Sequence, residues 1–104
     1  MELWTAFPKK DLMMELFMAE QNLDNKTEQL WNSIKIKPEV WACFDVIEDN
    51  FWVVALTGNY IVWYNDIEEG FSISKFVEKG KIKQYQAIKN DLNTALIKLL
   101  NHIQ

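Results

Sequence analysis

Arginine is missing from this chain: all eleven basic residues are lysine. Arginine supplies the planar fork that grips carboxylate, phosphate or guanine in two-pronged fashion, and lysine does not replace it. With a formal charge of −4 besides, nucleic-acid binding starts from a poor electrostatic position, and no nucleic-acid partner is expected. A single cysteine, Cys43, excludes an intramolecular disulfide and a multi-cysteine zinc site. Three glycines and two prolines leave little room for a disordered linker. There is no glycine-rich phosphate loop, nucleophile elbow or dinucleotide fingerprint. The apolar runs are far too short to span a bilayer, and Met1-Glu2-Leu3-Trp4 lacks the basic start and long apolar run of a signal peptide. These absences predict a cytoplasmic protein with no membrane partner. Asn25-Lys26-Thr27 fits a glycosylation sequon, which has no consequence in that setting.

Positive charge is also missing locally. From residue 38 to residue 74 there is no lysine, yet seven acids occur there: Glu39, Asp45, Glu48, Asp49, Asp66, Glu68 and Glu69. A one-signed segment builds a negative field that attracts and orients a basic partner. The following segment carries Lys75, Lys79, Lys81, Lys83 and Lys89, read as the solvated face and edge of a strand region.

What is present suits one domain over residues 1–104 with one core. Five tryptophans, six phenylalanines and three tyrosines are many for this length, so some aromatic surface is expected to stay exposed. Leu12, Leu16, Ala19 and Leu23 lie on one helical face, widened by Met13 and Phe17. Pro8 suits the first helical position and Asp11 the first turn. Asn25 and Glu28 resemble a capping pair for a second short helix carrying Leu30, Trp31 and Ile34, and the alternative is one long helix. Residues 40–47 read as a strand, and residues 51–56 and 60–64 as a hairpin about a type II′ turn at Gly58-Asn59. That register sets Leu56 against Ile61 and Val54 against Trp63, and Phe51 opposite Asp66. Trp52 then shares their side, while Phe51, Val53, Ala55, Tyr60, Val62 and Tyr64 form the other. With both sides apolar, the hairpin is either covered on both sides or displays a sticky surface; with so few helices, partial exposure or cover by a partner or second copy is the reading favoured. Phe71 and Ile73 alternate with Ser72 and Ser74 in a further strand. Glu78-Lys79-Gly80 turns into a short strand with Ile82, and a last helix from about Asp91, capped by Asn90, buries Leu92, Leu96, Leu99 and Ile103. The fold class is α+β: an antiparallel meander of four or five strands packed in two layers against N- and C-terminal helices.

Three segments of this chain, Lys37-Pro38-Glu39-Val40-Trp41, Phe51-Trp52-Val53-Val54-Ala55 and above all Trp63-Tyr64-Asn65-Asp66-Ile67-Glu68-Glu69-Gly70-Phe71, resemble recurrent segments of a small bacterial protein family with no assigned activity. The resemblance covers roughly residue 34 onward. It implies a small bacterial domain and no mechanism.

Catalytic candidates are few. His102, the only histidine, falls in a last helical turn, where it complements the dipole or meets solvent. Cys43 reads as a small core residue. The carboxylates remain: in the hairpin register Glu48 and Asp49 neighbour Asp66, Glu68 and Glu69, an arrangement that serves recognition, an acid/base pair or a divalent metal. Trp31, Trp63 and Phe71 are assigned to the core, and Phe51, Tyr60 and Tyr64 to an exposed aromatic patch beside the acids. The expected partner-binding set is therefore Glu48, Asp49, Phe51, Tyr60, Tyr64, Asp66, Glu68 and Glu69, with no metal and no cofactor. It predicts a non-catalytic protein-binding module, most concretely an acidic immunity- or antitoxin-type inhibitor of a basic cytoplasmic toxin such as a nuclease. The alternative is a small enzyme using those carboxylates, with or without a divalent metal. A homodimer burying the second hairpin face is compatible with the first reading.

Overall fold

The computed structural model describes residues 7–45 and 48–103. Val46 and Ile47, the end of the strand expected over residues 40–47, lie outside them, as do Met1, Glu2, Leu3 and Trp4. Helices α1 (Lys9–Glu20) and α2 (Asn25–Ile34) are followed by strands β1 (Lys35–Phe44), β2 (Glu48–Thr57), β3 (Tyr60–Asn65), β4 (Gly70–Lys75) and β5 (Lys81–Ile82), and then by helix α3 (Leu92–Ile103). The sheet order is β4-β3-β2-β1-β5. The first four strands form the expected antiparallel meander, so the α+β class holds. β5 departs from it by pairing parallel to β1.

Asp24, not Asn25, caps α2. Its side chain accepts the Thr27 amide at 2.8 Å, and the Thr27 hydroxyl accepts the Asp24 amide at 3.1 Å. This reciprocal pair satisfies helix-end donors and divides the N-terminal region into two helices. Asp91 likewise takes the capping role expected of Asn90, accepting the Thr94 amide at 2.7 Å. Asn90 instead bridges to the edge of β4, where its carbonyl accepts the Phe71 amide at 2.8 Å.

The β2–β3 turn forms as expected, with Gly58 at φ 56° and Thr57 against Tyr60. Leu56 faces Ile61, but Val53 rather than Val54 faces Trp63, because a bulge falls between Val53 and Ala55. The extra residue turns Val54 and Ala55 to one side together. Phe51 and Val53 therefore join Leu56, Ile61 and Trp63 on one face, and Trp52, Val54, Ala55, Tyr60, Val62 and Tyr64 occupy the other.

Both faces are covered. The helices bury the second face with Leu12, Leu16, Trp31, Ile34, Leu92 and Leu96. The first is crossed by residues 76–90, which lay Phe76, Ile82 and Tyr85 on Trp41, Phe51 and Trp63. This strap runs from the end of β4 to the outer edge of β1, where the Ala42 amide donates to the Gly80 carbonyl at 2.9 Å. It returns to Asn90 at the edge of β4. The expectation of an exposed hairpin face is thus overturned, and with it the ground for a dimer through that face. Ser72 and Ser74, which alternate with Phe71 and Ile73, are buried under the strap. On α1 the reverse occurs: Met13 and Phe17 point outward rather than widening the buried stripe. No helix among the described residues is long and apolar enough to cross a membrane.

Candidate functional site

The acidic residues do come together. β2 starts where β3 ends, because the two strands pair antiparallel from Trp52–Tyr64 back toward that edge. Glu48 and Asp49 at the start of β2 therefore lie at the same end of the sheet as the β3–β4 turn, residues 66–69. Glu48 and Glu69 are exposed, and Asp49, Asp66 and Glu68 are half-buried. Among the described residues Glu48, Asp66, Glu68 and Glu69 form no ion pair with a lysine; Glu78 pairs with Lys81 elsewhere, at 3.6 Å.

Asn65 holds this turn in place. It is fully buried, its Nδ2 donates to the Gln86 carbonyl at 3.0 Å, and its Oδ1 accepts the amides of Ile67 and Glu68 at 3.0 and 3.2 Å. One side chain thus ties the turn to the strap and fixes its backbone, the familiar use of a short amide side chain in a turn. The Tyr85 hydroxyl lies 3.5 Å from Glu68 Oε2.

The turn carries two local costs. Burial and the nearby Asp49 carboxylate hold the Asp66 carboxyl above its ordinary range. Glu69 sits at φ 59°, a left-handed backbone that costs a side-chain-bearing residue roughly 1 kcal/mol. The native state binds the Asp66 proton more tightly than the unfolded chain, so this residue's contribution to stability falls as pH rises through the window above 3.8. Asp66→Asn is accordingly expected to raise the melting temperature at pH 7, with the gain disappearing in acid once Asp66 is protonated in both states. Thermal melts of both chains across that range test this. Glu69→Gly, which relieves the backbone cost, is expected to raise it at any pH.

The aromatic part of the expected site is not where the sequence suggested. Phe51 is buried under the strap, 4.8 Å from the Trp63 ring, and Tyr64 is buried under the helices against Phe7 and Phe71. Neither ring is presented to a partner. The bulge and the two covers are the reasons: the bulge sends Phe51 to the side under the strap, and the helices cover Tyr64. Tyr60 is half-buried beside His102 at 5.7 Å, at the opposite end of the hairpin from the acids. Trp31, Trp63 and Phe71 are core, as expected.

Two apolar residues that the sequence did not single out stand in the acidic region instead. Ile67 is exposed at the tip of the β3–β4 turn, and Phe44, opposite Glu48, is exposed at the end of β1. An isoleucine inside a run of acids was the available signal for Ile67; an aromatic beside Asp45 was the signal for Phe44. A third neighbour comes from α1. Glu15 shares a groove with Glu69 of the acidic turn, and the Tyr64 hydroxyl is pushed up to about 12 by burial and then by the carboxylates of Glu15, Glu69 and Asp66. The groove, of about 410 Å³, is lined among others by Glu15, Met18, Tyr64 and Glu69.

Cys43 is fully buried. Burial first, and then Asp45 and Asp49, push its thiol up, which disfavours the reactive thiolate. Among the described residues no three His, Cys, Asp or Glu side chains are gathered to hold a metal ion. Comparison of the chain with models of protein families, with curated proteins and with solved structures finds no match.

Proposed function

We propose that this protein is a non-catalytic binding module that recognises a basic protein through the acidic end of its sheet. Its most concrete form is an immunity- or antitoxin-type inhibitor of a basic cytoplasmic toxin such as a nuclease. The observation that carries this reading is the β3–β4 turn, which keeps acids at two positions where they oppose folding: Asp66 desolvated beside Asp49, and Glu69 in a left-handed backbone. Residues kept against stability at a surface turn have their use outside the fold. A nuclease must attract phosphate, and a protein that covers such a surface matches it with carboxylates, which speed encounter and fix orientation. Phe44 and Ile67 provide the apolar contact that carboxylates alone do not.

The enzyme alternative rests on the Asp66–Asp49 pair, a plausible acid/base couple. It accounts for Asp66 but gives no reason for the strained Glu69, so the binding reading is preferred.

The test is partner capture from the source lysate, followed by affinity measurement with wild type and with Asp66→Lys, Glu68→Lys and Glu69→Lys combined. The expected partner is basic, its association with wild type weakens as salt rises, and the triple variant loses roughly 100-fold or more in affinity, since like charges facing across an interface cost several kcal/mol. A partner bound equally well by a folded triple variant would show that the acidic end is not the site.

A further inference from the structure

We propose that the groove between α1, the β3–β4 turn and the start of α3 receives one cationic side chain, a lysine or an arginine, of the bound protein. This rests on the acidic-end reading and extends it to Glu15 and Tyr64, which lie outside the turn tested there.

The groove has three walls: α1, the end of β3 with the turn after it, and the chain entering α3. Its charged residues are Glu15, Glu69, Asp91 and Lys89, all of them exposed. Three acids against one lysine leave it negative, and none of the four forms an ion pair among the described residues. Asp91 already caps α3 through the Thr94 amide. The carboxylates of Glu15 and Glu69 accept no hydrogen bond among the described residues. Met18, Phe71 and Leu92 add apolar lining. An alkyl stem covers such a lining while its charged head meets the acids, the habit of long basic side chains.

Acids around a groove are by themselves only a solvated rim, and it is Tyr64 that points to an occupant. Tyr64 is 3% exposed, with its ring between those of Phe7 and Phe71 at centroid distances of 5.3 and 5.1 Å. Its hydroxyl has no hydrogen-bond partner among the described residues, yet it is not sealed in. Ser72 Oγ is the one fully enclosed, unpartnered side-chain atom among them. Tyr64 lines the groove, so its hydroxyl is reached from there. Folded proteins pair nearly all such buried groups, and here the protein partner has to arrive through the groove.

The chemistry of the lining selects a cation. Burial first, and then the carboxylates of Glu15, Glu69 and Asp66, keep the Tyr64 hydroxyl protonated well above neutral pH. It therefore offers a neutral oxygen to an incoming N–H. A head with several N–H donors and a positive charge bonds that oxygen and a carboxylate together. An anionic side chain would face three acids, and an apolar one would leave the hydroxyl unpaired. A volume of about 410 Å³ is that of a small-ligand site, which suits one side chain and not a helix. A basic side chain anchored in a pocket is also a common form of interface hot spot.

Nuclear magnetic resonance titration of the full chain with Nα-acetyl-arginine methylamide and Nα-acetyl-lysine methylamide tests the groove without the partner. Saturable shifts at Tyr64, Glu15 and Met18 with millimolar dissociation are expected from the tighter of the two, and none from uncharged Nα-acetyl-norleucine methylamide. Tyr64→Phe keeps the ring and its packing, and Glu15→Gln changes an exposed side chain, so both should fold. Each is expected to weaken that probe about three- to tenfold, while Lys89→Ala tightens it about two- to threefold. Shifts that do not saturate at these residues, or equal shifts from the norleucine probe, overturn the proposal. The captured partner should lose about tenfold in affinity for either variant. A partner bound equally well by folded Tyr64→Phe and Glu15→Gln overturns the groove and leaves the acidic-end reading standing. Probe binding with no basic partner retained overturns the acidic-end reading and, with it, a protein side chain as the occupant.

Discussion

Gly70→Ala is expected to destabilise the protein by roughly 2–3 kcal/mol, the range for forcing extra volume into a packed site. For a domain of this size that is a fall in melting temperature on the order of 10 °C. A methyl group at Gly70 would lie 2.9 Å from the Asn90 nitrogen, 2.9 Å from Lys89 Cα and 3.0 Å from the Asn90 oxygen. All three are backbone atoms, so no rotamer change relieves the clash. The strap has to move away from β4, and the bond from the Phe71 amide to the Asn90 carbonyl goes with it. Gly58→Ala is the informative control. Gly58 has a positive φ but nothing within 4 Å of the added carbon, so it pays only the left-handed cost of roughly 1 kcal/mol. Thermal melts of the two variants separate close approach from backbone preference, and equal losses would contradict the packing of the strap on β4.

Trp63→Ala is expected to cost more, roughly 3–5 kcal/mol, as for other large aromatics removed from a core. Trp63 is fully buried between Phe51 and Tyr85, with ring centroids at 4.8 and 6.2 Å, and its Nε1 donates to the Ser74 hydroxyl at 3.0 Å. Removing it leaves a cavity between the sheet and the strap and takes a partner from a buried hydroxyl. Domains of this kind are stable by only about 5–15 kcal/mol in total, so a large share of the stability is at stake. Urea unfolding followed by far-UV circular dichroism measures the loss. Trp63→Phe, which keeps most of the volume and loses the N–H, should fall between the two.

Local signals in the sequence were sufficient wherever a single chemistry decides the structure. The turn at Gly58-Asn59 and the pairing of Leu56 with Ile61 follow from a glycine placed where φ must be positive. Leu92, Leu96 and Leu99 follow from helical spacing. The bulge between Val53 and Ala55 was hidden, because β2 is apolar on both sides and a period-two signal that is absent cannot mark a slip. That slip moved Phe51 under the strap. The strap was hidden too: it spreads Phe76, Ile82 and Tyr85 among lysines with no regular period, so nothing in its pattern announced a covering segment. Of the candidate site, the meeting of the acidic turn with the start of β2 was legible from the hairpin alone. Which apolar residues stand beside it was not, because that depended on the bulge and the strap. The outward side chains of α1 escaped as well. Met13 and Phe17 satisfy the spacing of a broad buried face, yet only Leu12 and Leu16 of that face are covered.

The parallel pairing of β5 with β1 has a consequence for the order in which this chain folds. The meander from β1 to β4 closes through short turns, whereas β5 joins residues as far apart as Ala42 and Lys81. Loop-closure entropy must be met before that pairing yields anything, and topologies with distant contacts fold more slowly for this reason. The β1–β4 hairpins can therefore form first, as a sheet whose Trp41–Trp63 side is still wet. The strap covers that side, and its reopening would return those tryptophans to water.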